Sequence, residues 1–410
     1  MTIPTIQSDR RVSFESRPLP DARCPNCRGR GLAVFYSVQG VPVHSCLLMT
    51  DRQEALAFPT GDLELAFCPA CGFVTNTRFD EKVHRYSVQY ESTQVYSSCF
   101  NAFARSLAAH VVERYGLRDK TVLEIGCGNG EFIALMCELG PMTGIGIDPA
   151  FRPERGPKGL EDRLRFIQDF YSEAYTHLRC DVVCCRHTLE HIGPAHRFMA
   201  MIRRTLNGQD APLVFFEVPD VLRVLEEGAF WDLYYEHCSY FTAGSLARLF
   251  RATGFRIHEL SLDYDDQYIV LNAYPADQPP EPAEPLERDL DQISRAVTRF
   301  SEVCSRVQGR WMDRLHKASA RGGRVVLWGS GSKAVAFLTT LGITDPIRYV
   351  VDINPNKHGK YMPGTGQEIV GPAFLKDYRP DLVIAMNPIY RHEIQRDLDR
   401  LDVRAELLSV

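Results

Sequence analysis

From Thr121 onward the chain repeats one local plan: an apolar strand, a glycine turn, a helix and a further strand. Thr121-Val-Leu-Glu-Ile-Gly-Cys, Gly130-Glu-Phe-Ile-Ala-Leu-Met-Cys-Glu-Leu, Met142-Thr-Gly-Ile-Gly-Ile-Asp, Asp181-Val-Val-Cys-Cys and Leu213-Val-Phe-Phe-Glu-Val-Pro follow in that order. Short, continuously apolar strands alternating with helices predict a mainly parallel sheet covered on both faces. The series ends after Tyr268-Ile-Val-Leu-Asn-Ala-Tyr. A stretch rich in proline and acid then reads as a linker, because it carries no apolar period. Beyond it, residues 286–320 have the spacing of one long amphipathic helix, followed by a second, shorter strand and turn series through Gly323-Arg-Val-Val-Leu-Trp, Ile347-Arg-Tyr-Val-Val-Asp and Asp381-Leu-Val-Ile-Ala.

With 410 residues the chain exceeds one ordinary core, and two or three units are expected. The divisions fall at an N-terminal arm and cysteine-rich module (1–75), an α/β domain (76–275) whose entry, 76–120, reads mostly as helix, a linker (276–290) and a second α/β domain (291–410). A net charge of -5 argues against a broad nucleic-acid surface. No stretch approaches the roughly 20 apolar residues that span a bilayer, and the first residues lack a signal-peptide core, so the expectation is a cytoplasmic protein away from membranes. Thirteen cysteines at irregular positions read as reduced thiols rather than a disulfide framework.

Four of those cysteines are spaced differently. Cys24-Pro-Asn-Cys27 and Cys68-Pro-Ala-Cys71 form two C-x2-C knuckles separated by 40 residues, which suits four thiolates around a structural Zn²⁺. His44 and Cys46 lie between them and compete as ligands, without knuckle spacing. A four-thiolate site leaves no open position, so the expected role is structural.

The turn Glu124-Ile-Gly126-Cys-Gly128-Asn-Gly130 joins strand to helix with three glycines, and Asp148 closes the next strand. Glycine lets a ligand lie against the turn, and the aspartate is placed to accept from two ribose hydroxyls. Such a turn also serves NAD. Glu124 before the first glycine favours a cationic methionyl group over a pyrophosphate, which points to S-adenosylmethionine. Asp169 either meets the adenine amino group or caps local backbone.

In this fold the acceptor sits over the strand ends, which here carry Arg186-His187-Thr-Leu-Glu190-His191 and Glu217-Val-Pro219. A loop dense in rings and titratable groups follows: Phe230-Trp-Asp-Leu-Tyr234-Tyr-Glu236-His237-Cys-Ser-Tyr240. Aromatic walls around a histidine exclude water and shift it towards the range of a base. A loop histidine beside Glu and Tyr favours His237 as a base, with a structural hydrogen bond as the alternative, whereas His191 suits either a substrate contact or a structural role. Tyr90 and Tyr96 either close over a substrate or pack. The turn Gly329-Ser-Gly331-Ser-Lys333 either cradles a phosphate or is scaffold.

In order, the four-cysteine module, the Glu-x-Gly-x-Gly-x-Gly turn, the Tyr-x-Glu-His loop and a C-terminal stretch Val351-Asp352-Ile-Asn354-Pro355 resemble the zinc-containing, S-adenosylmethionine-dependent sugar C-methyltransferases that act on nucleotide-linked 4-keto-deoxysugars. The resemblance spans nearly the whole chain. It implies a class I methyltransferase-type Rossmann-like domain between the zinc module and a second Rossmann-like domain. It also implies His237 as the base at sugar C3, Tyr234 and Glu236 orienting it or holding the enolate oxygen, and His191 bonding the sugar, with the nucleotide between the two α/β domains. Arg186-His187 replaces the family's paired asparagines, Glu190 replaces a small residue, and the Gly329–Lys333 turn differs, which puts the acceptor in question. The alternatives are O- or N-methylation of another small metabolite, and a non-catalytic binding protein of the same fold. The oligomeric state is not legible.

Overall fold

The structure is a computed structural model that describes residues 12–47, 49–83, 90–276, 284–343 and 346–410. Residues 1–11 of the N-terminal arm and residues 277–283 of the linker lie outside these residues.

The central sheet has seven strands. In spatial order they are Phe255–Asp263, Tyr268–Pro275, Leu213–Pro219, Val182–Arg186, Thr121–Ile125, Thr143–Ile147 and Leu164–Ile167. All neighbours pair in parallel except the Tyr268–Pro275 strand, which is antiparallel to both of its own. The order reverses at Thr121–Ile125, so the loops after this strand and after Val182–Arg186 open a crevice at the carboxyl ends. The buried faces explain the apolar runs: Val122, Leu123, Val182, Val183, Cys184 and Phe215 are all at most 1% exposed. The C-terminal sheet is wholly parallel, with the order Glu368–Val370, Ile347–Val351, Val325–Trp328, Leu382–Ala385, Glu406–Ser409. It is preceded by the helix Leu290–Ala320, whose Ile293, Ala296, Phe300, Cys304 and Leu315 turn inward at helical spacing.

Two features differ from the sequence reading. Entry to the central domain is not mostly helical. Val74–Asn76 is a strand, and the helix runs only from Ser98 to Arg114, where the Ser97 hydroxyl accepts from the Phe100 amide. The segment before it is held by the buried Glu91, which Arg152, Arg155 and Asn354 grip, an arrangement no helical period announces. Second, the N-terminal antiparallel sheet ends on a strand from far along the chain: Ser239–Tyr240 pairs with Val74–Asn76. The Tyr234–His237 loop therefore enters this sheet directly. Among the described residues, no helix is long and apolar enough to cross a membrane.

Candidate active site

The glycine turn leaves the strand Thr121–Ile125 and starts the helix Glu131–Leu139. Gly126, Gly128 and Gly130 all have left-handed backbone, with φ of 73°, 57° and 87°. At Gly126 a Cβ would lie 2.0 Å from Thr188 Oγ1, so glycine is required there on steric grounds as well. At Gly128 it would meet only Glu131 Oε2 at 3.8 Å and would otherwise project into open space, which is the room a ligand needs. Asp148 is tied to the turn: Oδ2 accepts from the Gly128 amide at 2.8 Å and Oδ1 from the Ala150 amide at 2.7 Å. Each oxygen keeps a lone pair for a ribose hydroxyl.

Glu124 faces the same cleft but is also bound into the fold, since its Oε2 accepts from the Ile133 amide at 3.0 Å. Burial pushes its pKa up to about 8, against the opposing pull of Arg186. A cationic ligand beside it would bring that value down. Asp169 is exposed, accepts from the Tyr175 hydroxyl at 2.5 Å and does not line the cleft. Its neighbour Phe170 does line it, 56% exposed, a position that nothing in the local pattern singles out.

The cleft has a volume of about 890 Å³ and is bounded by all three units. At its floor the parallel register sets Arg186 beside Glu217. Arg186 donates to both carboxylate oxygens, at 3.3 and 2.9 Å, and lies 4.0 Å over the Phe132 ring. His187, left-handed at φ 46°, places Nε2 2.6 Å from Glu217 Oε1 and Nδ1 3.5 Å from Glu190 Oε1. Burial works against ionisation of all three groups, but their mutual attraction outweighs it. Glu217 is held down at about 2, His187 is raised to about 9, and Arg186 is raised as well.

His237 is 7% exposed and is boxed by the rings of Tyr234 (4.3 Å), His191 (4.7 Å) and Tyr240 (5.8 Å). Tyr234, His191 and His237 all face the cleft. The Glu236 carboxylate reaches away from it. Oε1 accepts from the Ser45 amide at 3.2 Å and the Ser332 hydroxyl at 3.4 Å, and Oε2 lies 3.5 Å from His44 Nδ1. Glu236 thus joins the N-terminal module to the C-terminal turn, while its main-chain carbonyl orients His191, whose Nδ1 lies 3.0 Å away. His44 and Cys46 are spent here, beside Glu236 and Ser332, and do not join the four cysteines.

Those four cysteines do converge. Their sulfurs lie within 4.8 Å of one another, with Cys24 to Cys71 and Cys27 to Cys68 both at 3.7 Å. Zn–S bonds of about 2.3 Å in a tetrahedron predict S···S separations of about 3.8 Å, whereas a disulfide needs about 2 Å. The knuckles match in backbone as well, with left-handed Arg28 and Gly72 each following the second cysteine.

On the opposite wall, Trp328, the Gly329–Lys333 turn, Asp352 and Asn387 line the cleft. Lys333 ion-pairs with Asp232, which also holds Arg223 at 2.8 Å. Tyr90 and Tyr96 line it too, and Tyr268 packs its ring 4.5 Å from that of His187.

The seven-stranded order, the glycine turn and Asp148 on an open cleft are those of an S-adenosylmethionine-dependent methyltransferase. Family models match twice, a methyltransferase domain over residues 100–260 and a C-methyltransferase C-terminal domain over residues 284–405. C-methyltransferase NovU of Streptomyces niveus is 29% identical over 363 residues, covering 85% of each chain. The chain is an S-adenosylmethionine-dependent methyltransferase, and its likeness to NovU and to the C-methyltransferase C-terminal domain supports transfer to carbon. Among solved structures, the 1,6-didemethyltoxoflavin-N1-methyltransferase of Burkholderia thailandensis aligns with 42% of this chain and 79% of its own, at 21% identity and a TM-score of 0.34. Magnesium protoporphyrin IX methyltransferase of Synechocystis aligns with 45% and 89%, at 19% identity and a TM-score of 0.36.

Proposed function

We propose that the chain methylates a carbon next to the ketone of a nucleotide-linked keto-deoxysugar, with His237 as the base. The observation that carries this reading is the placement of His237: buried, walled by aromatic rings, and facing the same cleft as the glycine turn and Asp148. A carbon acid needs a base shielded from water, and this box supplies one.

S-adenosylmethionine, when bound, supplies an electrophilic methyl group. Gly126, Gly128 and Gly130 bind it, Asp148 holds the ribose, and Glu124 faces the cationic end while tying the turn to the helix. His237 takes the proton from the carbon next to the ketone. The electron pair of that C–H bond passes into the enolate, whose carbon bonds the methyl as the sulfonium bond breaks. Tyr234 and His191 wall the base and contact the sugar, and Glu236 acts on them through the loop it anchors. The nucleotide lies against the C-terminal wall. Zn²⁺ in the four-cysteine site holds the knuckles together, and with them the sheet that continues from the His237 loop. Thirteen cysteines without a disulfide suit a reducing, cytoplasmic setting.

Incubation with S-adenosylmethionine and a panel of nucleotide-linked 4-keto sugars, read by mass spectrometry, tests the proposal. One sugar gains a methyl group. His237→Ala slows that gain by about 10²–10⁴-fold with cofactor affinity unchanged. Equal loss of cofactor binding would make His237 structural instead.

A further inference from the structure

Glu190 has no part in that mechanism, yet it is placed like a ligand. It is 2% exposed, and its Oε2 has no hydrogen-bond partner among the described residues. A carboxylate oxygen buried without a donor costs several kcal/mol, so something outside the chain is expected to meet it. Two imidazoles converge on the same point: one ligand atom each from Glu190, His191 and His237 lie within 4.8 Å of one another. Two imidazole nitrogens and a carboxylate oxygen gathered that closely are a donor set that an ion can bridge.

The surroundings fit. His191 Nδ1 lies 3.0 Å from the Glu236 carbonyl oxygen, so Nδ1–H donates to it and the lone pair sits on Nε2. This is the outer-sphere hydrogen bond that orients a metal-ligating histidine. His187 Nδ1 at 3.5 Å steadies Glu190 Oε1 from the other side. The Glu190 carbonyl accepts from the Cys238 amide at 3.0 Å, which locks the two loops together. All three side chains line the cleft, so the remaining coordination positions open towards the acceptor.

We infer that Glu190, His191 and His237 form a second metal site, distinct from the four cysteines, which takes a divalent first-row transition-metal ion. Two nitrogens and one carboxylate oxygen with open positions suit Zn²⁺, Co²⁺ or Fe²⁺. The consequence for activity rests on the base assignment made above. The His237 lone pair accepts either a proton or the ion, so the loaded site does not transfer methyl groups.

Purified protein, without prior chelation, is titrated with Co²⁺ while metal content and visible absorption are read. One added ion per chain is expected, with the weak bands of nitrogen and oxygen ligation. Glu190→Gln and His191→Ala weaken that ion by more than about 100-fold, beyond what loss of an outer-sphere partner gives. Absence of an added ion in the unmodified chain overturns the site, as does an added ion that both variants keep. The methyl-transfer assay with added Zn²⁺ separates the two claims. Inhibition that tracks occupancy and is reversed by EDTA supports both. An occupied site with undiminished turnover leaves the metal site standing and removes His237 as base.

Discussion

The central and C-terminal sheets share one device, a glycine-containing turn whose amide is accepted by an aspartate at the end of the neighbouring strand, but they finish it differently. In the central sheet Asp148 takes two amides, Gly128 and Ala150, and nothing else that the structure records. In the C-terminal sheet Asp352 takes the Ser330 amide at 2.9 Å, the Ser330 hydroxyl at 2.6 Å, the Asn354 amide at 2.8 Å and Lys357 at 3.4 Å. The first carboxylate has acceptor capacity left for a nucleoside. The second is saturated and neutralised within the chain. On the proposed reading the same motif marks a ligand site in one half and a fold-stabilising joint in the other, and the difference lies in what occupies the aspartate.

The largest effect that would break this comparison is at Gly126. Gly126→Ala puts a methyl against Thr188 on a left-handed backbone, and calorimetry should find S-adenosylhomocysteine binding abolished. Gly331→Ala is its control: nothing lies within 4 Å of the new Cβ, and stability should stay within about 0.5 kcal/mol. Cofactor binding that survives Gly126→Ala would mean that the turn does not cradle the ligand.

Next come the aspartates themselves. Asp148→Asn should weaken the cofactor by about 10- to 100-fold, the loss of charge-assisted hydrogen bonds, with little change in melting temperature. Asp352→Asn strands the buried Lys357 and should cost about 3–5 kcal/mol of stability while leaving the affinity of the remaining folded protein unchanged. Interchanged outcomes would reverse the two assignments.

A smaller effect separates the sheets by pH. Glu124, raised by burial to about 8, contributes stability that is present below its ordinary 4.5 and lost as pH rises through 8. Asp352 is lowered, because Lys357 and its hydrogen bonds outweigh burial, and it contributes stability that is lost only as pH falls below its ordinary 3.8. Between pH 5 and about 9, amide exchange, corrected for its intrinsic pH dependence, should show Thr121–Ile125 losing protection while Val325–Trp328 keeps it. Bound cofactor should reduce the difference. Equal losses in both sheets would show that Glu124 does not govern the alkaline limb.

What could be read from the chain was what lies close along it. The C-x2-C knuckles, the Glu124 to Gly130 turn and Asp148 all announce themselves within a few residues, because each rests on local spacing and backbone conformation. The site's long-range joints do not. Glu236 looks like a partner of the adjacent His237, but its carboxylate is taken by Ser45, 191 residues earlier, and by Ser332. Glu91 meets Asn354 across 263 residues. Asp169 looked suited to adenine by its place after a strand, yet the Tyr175 hydroxyl claims it and the exposed Phe170 faces the cleft. Ser239–Tyr240 pairs with Val74–Asn76 only because the chain turns back after His237, which no period of two over two residues can signal.

The central claim is that the methyl group goes to carbon. A nucleotide-linked 4-keto sugar carrying deuterium at both C3 and C5, turned over with S-adenosylmethionine, decides it in one mass spectrum. The account predicts a product that has gained a methyl group and lost a deuterium to solvent. A methylated product that retains both deuteriums would place the methyl on an atom other than a carbon next to the ketone and contradict it.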